Sequence, residues 1–278
     1  MTALAFPQMA IIGIGVCTSA EGLDVRPLLK RRKDLKLLPD AARLAIPAAK
    51  RALGDHDATE AGLFLGVGRE PPEDATEAAI VASMVDGALD VGQLGAVGLP
   101  LYPPLASLRT LPNLVLAHVA IQVGIRGPGS TRAGDGAASL MAVEEAVWAL
   151  AEGRCEQALC GGADSLIHPA QGRDLKRRRM VGRPAGAAAV LHLSTAGWVR
   201  RNRAPVLAWV TRIETGLAPP QISSVPHHAS VGRCGAADGA LALARALAAQ
   251  PSGQLRIHDE TGARGEVCWT APKPEPRS

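Results

Sequence analysis

The chain has 278 residues, of which 47% are hydrophobic and 20% charged, with a formal net charge of +4. That balance excludes a disordered chain, and the lack of any apolar run of ~18 residues argues against a membrane span. Aromatic residues are only 3%, so Ala, Val, Leu and Gly must build the core, bringing helices close to buried strands.

Met9 to Val16 is a continuous apolar run of the length of a buried strand, ended by Cys17, Thr18 and Ser19. Asp40 can cap a helix through Leu53 with Leu44, Ala45, Ala48, Ala49 and Ala52 as its apolar stripe, although Pro47 opposes it. Gly62 to Gly68 reads as a second buried strand, Asp74 to Leu89 as a helix, and the Gly- and Pro-rich stretch from Gly92 to Pro104 as an irregular loop. Asn113 then caps an apolar helix, Leu114 to Val123, that stops at Gly124. Ser130 to Ala133 is a short strand. Gly136 to Glu152 is a helix apolar nearly all round its first turns, which predicts burial between layers. Further strands are expected at Gln157 to Gly162, Ala185 to Leu193, Val206 to Ile213, Leu255 to Asp259 and Glu266 to Thr270. A basic loop is expected at Arg173 to Arg179 and an Ala/Leu helix at Ala236 to Ala249. Alternating strands and helices make the class α/β.

The cysteines, Cys17, Cys155, Cys160, Cys234 and Cys268, are scattered without a C-x-x-C pair. This argues against a disulfide framework and a structural zinc site and suits a reducing compartment. The start lacks a basic n-region, so a cytoplasmic protein is expected. Positive charge gathers at Lys30 to Lys33 and at Lys176, Arg177, Arg178 and Arg179. Each run reads plainly as a solvated loop, and more sharply as a dock for an acidic partner. Nucleic acid is not expected, because no aromatic residues are interleaved to stack on bases.

Asn113 to Leu166 carries a resemblance. It contains Ala117-His118-Val119-Ala120, then Gly124-Ile125-Arg126-Gly127-Pro128-Gly129-Ser130-Thr131, a helix, and Ala158-Leu159-Cys160-Gly161-Gly162-Ala163-Asp164-Ser165. This resembles the nucleophile region of β-ketoacyl-acyl-carrier-protein synthases, with its "N-x-x-A-x-x-I-A" helix, "G-L-x-G-P-x-x-T" and "A-L-A-G-G-A-E-S". Gly13 to Thr18, Gly182 to Leu191 and Val231 to Leu247 are weaker matches to other motifs of the family. The resemblance implies a thiolase-like fold of two βαβα-type halves, with mixed sheets packed around buried Ala-rich helices. The expected division is an N-terminal ketosynthase-like half at 1–170 and a shortened C-terminal half at 171–278.

The departures from the pattern fall on the chemistry. The family's nucleophile is a Cys at the N-terminus of the buried helix, where the helix dipole stabilises a thiolate. Gly136 stands at that position here. One family histidine lies in "H-G-T-G-T", which does not occur; Gly232 stands where the other would be. The late "F-G-F-G-G" loop is also missing, and the chain is shorter than the family pattern, mostly between Thr215 and Ser223. Condensation is therefore not expected, and neither cofactor nor metal is implied.

Other groups could carry a replacement chemistry. Asp135 is either an N-cap or a new acid or base. Ser139, inside a buried helix, reads as a hydroxyl bonded back to a carbonyl. His118 reads as a core histidine or a catalyst. Cys234 with His227 and His228 reads as a displaced thiol–imidazole set or as ordinary packing and loop residues. Two functions stay open. The first is a non-catalytic protein acting through dimerisation and partner binding. The resemblance implies a dimer through Ser130, Thr131, Arg132 and Ala133, either a homodimer or a heterodimer with a related ketosynthase. An acyl carrier protein or a secretion effector would be the further partner. The second is an acyltransferase or hydrolase with a repurposed site.

Overall fold

The computed structural model of the chain describes residues 8–71, 74–102, 104–105, 107–178, 182–217 and 231–272. Its strands are β1 (Met9–Thr18), β2 (Gly62–Val67), β3 (Met84–Val85), β4 (Ala88–Leu89), β5 (Gly129–Ala133), β6 (Gln157–Ser165), β7 (Gly186–Thr195), β8 (Ala208–Leu217), β9 (Gly253–His258) and β10 (Ala263–Thr270). The longer helices are α1 (Asp40–Leu53), α2 (Asp74–Ala82), α3 (Asn113–Val123), α4 (Ala138–Ala151), α5 (Pro169–Arg177), α6 (Ala196–Asn202) and α7 (Asp238–Ala249). The class is α/β, as expected. No helix among the described residues is long and apolar enough to cross a membrane.

Eight strands form one mixed sheet in the order β5-β2-β6-β7-β1-β8-β10-β9. β2 runs parallel to β5 and β6, and every other neighbouring pair is antiparallel. β1 pairs with β7 along most of its length, from Met9↔Thr195 to Thr18↔Ala187, but meets β8 only at Met9–Ile11 against Val210–Ala208. The C-terminal strands β8, β10 and β9 thus hang from a short seam and splay away from the other five.

Into that angle fits α4. Leu140, Val143, Ala146, Val147 and Leu150 share one core with Phe64, Cys160 and Leu191 on one side and Val210, Ile213, Val267 and Trp269 on the other. This is why the sequence is apolar round most of that helix. α7 packs beside it on Ala187 and Ala189 of β7. On the far face of the five strands, α1 and α3 bury Ala42, Ala45, Ala49, Val115 and Val119 against Leu65 and Val190. The scarcity of large side chains has a direct use here. Added methyls at Gly13 and Gly15 of β1 would overlap the carbonyl oxygens of Ala52 and Ala48 of α1. Helix backbone and strand backbone touch with nothing between them.

β10 alternates strictly, and β8 alternates on either side of a register shift between Val210 and Arg212. Val210, Ile213, Val267 and Trp269 face the helices, while Arg212, Glu214, Arg264 and Glu266 face outward. On the outer face Arg256 and Arg212 form ion pairs with Glu266, and Arg212 with Glu214. That pattern is a sheet with one solvated face.

Several local expectations are corrected. Asp40 is the first residue of α1, not its cap, and its carboxylate pairs with Arg43 at 3.3 Å. Asn113 likewise opens α3 behind Pro112. The helix runs through Pro47, which is buried in it. The helix expected to reach Leu89 ends at Ala82, because Asp86 and Gly87, with φ of 49° and 79°, make the turn of the β3–β4 hairpin. The stretch expected as irregular loop contains consecutive helical turns from Val91 to Leu101. The basic loop is also a helix. α5 starts behind His168, whose ring accepts the Ala170 N–H at 3.3 Å, and has Pro169 at its first position, where a missing N–H costs nothing.

Candidate functional site

The turn from β5 into α4 is the place where the sequence departures meet. Gly134 N–H bonds Val67 O at 3.0 Å as β5 ends, and Ala138 N–H closes the turn on Asp135 O at 2.9 Å. Gly136, at the degenerate nucleophile position, is buried. Its carbonyl accepts the Gly239 N–H at 3.2 Å. Ser139 is fully buried, and its hydroxyl oxygen accepts the Ala240 N–H at 2.9 Å. The hydroxyl thereby joins the two helices. The start of α7 is therefore docked into the start of α4.

A helix N-terminus presents amide donors to a negative group. Here the group is the carboxylate of Asp259, from the turn between β9 and β10. Its Oδ2 accepts the Ala137 N–H at 3.2 Å. Its Oδ1 accepts Thr261 N–H at 2.9 Å, Thr261 Oγ1–H at 2.6 Å and Ala263 N–H at 3.1 Å. Asp259 is 1% exposed, so this donor end of α4 is closed from within. Local reading placed Asp259 at the end of a strand and gave it no role, because its partner Ala137 lies 122 residues away.

Asp135 lies on the mouth side. Its Oδ2 receives Arg178 at 2.6 Å, and Arg178 also reaches Asp174 at 3.6 Å. Arg177 pairs with Asp174 at 2.7 Å. Two members of the singled-out basic run are thus matched by nearby carboxylates. Lys176 lies in the last turn of α5, and Arg179 falls outside the described residues.

A cleft of about 690 Å³ opens there, with Glu70, Asp135, Asp164, Gln171, Arg178 and Thr261 among its lining. Burial pushes Glu70 up to about 7, despite a hydrogen bond from Ala41 N–H at 3.3 Å. Burial also pushes Asp164 up to about 7; its carboxylate accepts Ala236 N–H at 2.9 Å and Ser165 N–H at 2.7 Å. A methyl at Gly68 or Gly235 would overlap that carboxylate.

The second degenerate position packs on Arg183 and Ala185. Gly232 has φ 105°, and a Cβ there would run into the Arg183 carbonyl. The backbone itself leaves no room for a side chain. Cys234 is fully buried, with its Sγ 4.0 Å from the Gly232 carbonyl oxygen. Burial, then the Asp238 charge, push its thiol above the usual range. Asp238 accepts Cys234 N–H at 2.9 Å and is itself pushed up to about 7 by burial. Buried Arg233 pairs with Glu260 at 2.6 Å.

The other candidates do not join this group. His118 is half-buried on α3 and bonds the Leu37 backbone; burial lowers its pKa. His227 and His228 lie outside the described residues. A buried histidine that sequence reading passed over, His192 of β7, bonds Gln157 Oε1 at 2.9 Å and stacks edgewise on His56 at 5.6 Å. Its burial pushes it down to about 4. Among the described residues no group of three or more His, Cys, Asp or Glu could hold a metal ion.

Ser130, Thr131, Arg132 and Ala133 occupy β5, one of the two edge strands of the sheet. Leu63 N–H bonds Pro128 O and Gly134 N–H bonds Val67 O. In a parallel ladder that phase turns the N–H groups of Thr131 and Ala133 away from β2, toward the open side.

Residues 15–200 match the family model described as "Beta-ketoacyl synthase, N-terminal domain". A PKS-NRPS hybrid synthetase from Aspergillus niger is 30% identical over 139 residues, which is 50% of this chain and 6% of that protein's length. Among solved structures, one is a type II PKS acyl-carrier protein in complex with its ketosynthase bound to the hexaketide. The match has a TM-score of 0.76 at 13% identity and covers 96% of this chain and 99% of that one. The ishigamide ketosynthase/chain length factor follows at TM-score 0.70 and 16% identity, covering 96% and 100%. At such identities the structures speak for the fold alone. The family match takes in most of the chain, and this protein belongs to the β-ketoacyl synthase N-terminal domain family.

Proposed function

We propose that this protein is a catalytically degenerate ketosynthase-like subunit that acts by binding, not by condensation. The observation that carries the reading is the closed N-terminus of α4, where Gly136 offers no nucleophile and the Asp259 carboxylate takes the Ala137 amide. Gly232 supports it, because no side chain fits at that backbone. Asp135, paired with Arg178, and Cys234, buried with a raised pKa, are poorly suited to replace a thiolate. On this reading residues 1–170 form the ketosynthase-like half and 171–278 a shortened thiolase-like half. The open edge of β5 favours pairing with a second copy or a related ketosynthase. Lys176 and the exposed Arg177 would meet an acidic carrier protein or effector in the cytoplasm.

One observation favours the repurposed enzyme, namely Glu70 poised near neutrality on the cleft. The test separates the two. Intact-protein mass spectrometry after incubation with acyl-CoA and acyl-carrier-protein donors is expected to find no adduct, while light scattering finds a dimer. A stable acyl adduct overturns the binding reading, and its mapped position names the nucleophile.

A further inference from the structure

A second groove lies far along the fold from the α4 turn, under α6. It holds about 1330 Å³. Its floor is Val199, Ala204, Val206 and Trp209, all four of them part of or packed on the small core of Ala10 and Ile12. Two cations, Arg200 and Arg203, stand on its rim, and no Asp or Glu among the described residues lines it. Many arginines of the molecule, among them 26, 31, 43, 51, 132, 154, 177, 178, 201, 212, 233 and 256, pair with a carboxylate. Arg200 and Arg203 form no such pair among the described residues. Their neighbour Arg201 is taken by Glu156.

Arg203 carries a further sign. It ends α6 in the left-handed conformation, φ 51° and ψ 36°, with its N–H on the Val199 carbonyl. Glycine fills such a position without strain, and an arginine there works against the backbone.

From this groove we infer a docking surface for an acidic amphipathic segment of a partner protein, with apolar side chains over Trp209 and carboxylates on Arg200 and Arg203. The apolar floor supplies the contact area and the unmatched guanidinium pair selects charge. It names a surface for the binding role proposed above, but its test touches neither the α4 turn nor β5, so either can fail alone.

The test uses the full chain and a fluorescent synthetic peptide with Glu on one helical face and Leu on the other, followed by anisotropy at low and high salt. Saturable binding that weakens with salt is expected. It should be lost by at least ~10-fold in Arg200→Glu/Arg203→Glu and unchanged in Arg126→Glu, an exposed arginine outside every surface proposed above. Arg203→Gly should melt no lower than the parent yet bind more weakly, a combination that a merely structural arginine would not give. Equal binding of a Lys/Leu peptide, or indifference to the Arg200 and Arg203 changes, overturns the proposal. So does a change of mass in light scattering on those changes, which would make the groove an interface between copies. Preference for phosphatidylglycerol vesicles over the peptide would assign it to a membrane instead.

Discussion

Gly136 and Gly232 are degenerate for different physical reasons. Gly136 lacks a nucleophile at a helix end whose donors face Asp259, whereas Gly232 sits in a backbone that excludes any side chain. Restoring a histidine at Gly232 would therefore move the chain before it restored chemistry. Glycine matters as strictly in the core. Gly15→Ala would press a methyl onto the Ala48 carbonyl and force α1 off β1. Overpacking of that kind costs about 1–3 kcal/mol or more, and urea unfolding of the variant should show it as a lower midpoint. The buried carboxylates set a pH dependence. Asp238 is raised to about 7 in the folded chain, so the folded state holds a proton that the unfolded state releases above about pH 4. Its contribution is full below that point and is lost as pH rises through about 7, with a slope of at most about 1.4 kcal/mol per pH unit. Asp238→Asn should flatten the fall of the urea midpoint between these limits, and an unchanged fall would show that Asp238 is not the group responsible.

At the scale of elements, the exposed strand β5 and the basic helix α5 illustrate opposite limits of local reading. β5 was legible as a strand from Ser130 to Ala133, and it lies at one edge of the sheet. Because the Thr131 N–H faces away from β2, Thr131→Pro should leave the fold intact and abolish pairing through that edge. Light scattering should then report a monomer with a melting temperature close to the parent's. A dimer that survives the change would move the interface elsewhere. The stretch around Lys176 reads as a loop because its charges outnumber its apolar residues. It is helical because Asp174 pairs with Arg177 and Arg178 one turn on, and Leu175 is buried beneath.

Across the whole molecule, burial is uneven. β7 lies between β6 and β1 and is buried along nearly its full length, whereas β9 is an outer strand with Gln254 and Arg256 exposed. Native-state hydrogen exchange should find the β9 amides exchanging orders of magnitude sooner than those of β7. Equal protection would mean that the three C-terminal strands and the five others open as one unit. The α/β class, the buried α4 and the family could be read from the sequence, because periodicity, Ala and Gly spacing and the motif block between Asn113 and Leu166 are properties of neighbouring residues. Only the tertiary structure decided which charges are matched. Asp259 reaches Ala137 from 122 residues away and Arg178 reaches Asp135 from 43, while Arg200 and Arg203 are left facing an apolar groove. Such contacts depend on where the sheet brings distant turns together, and no local pattern encodes that.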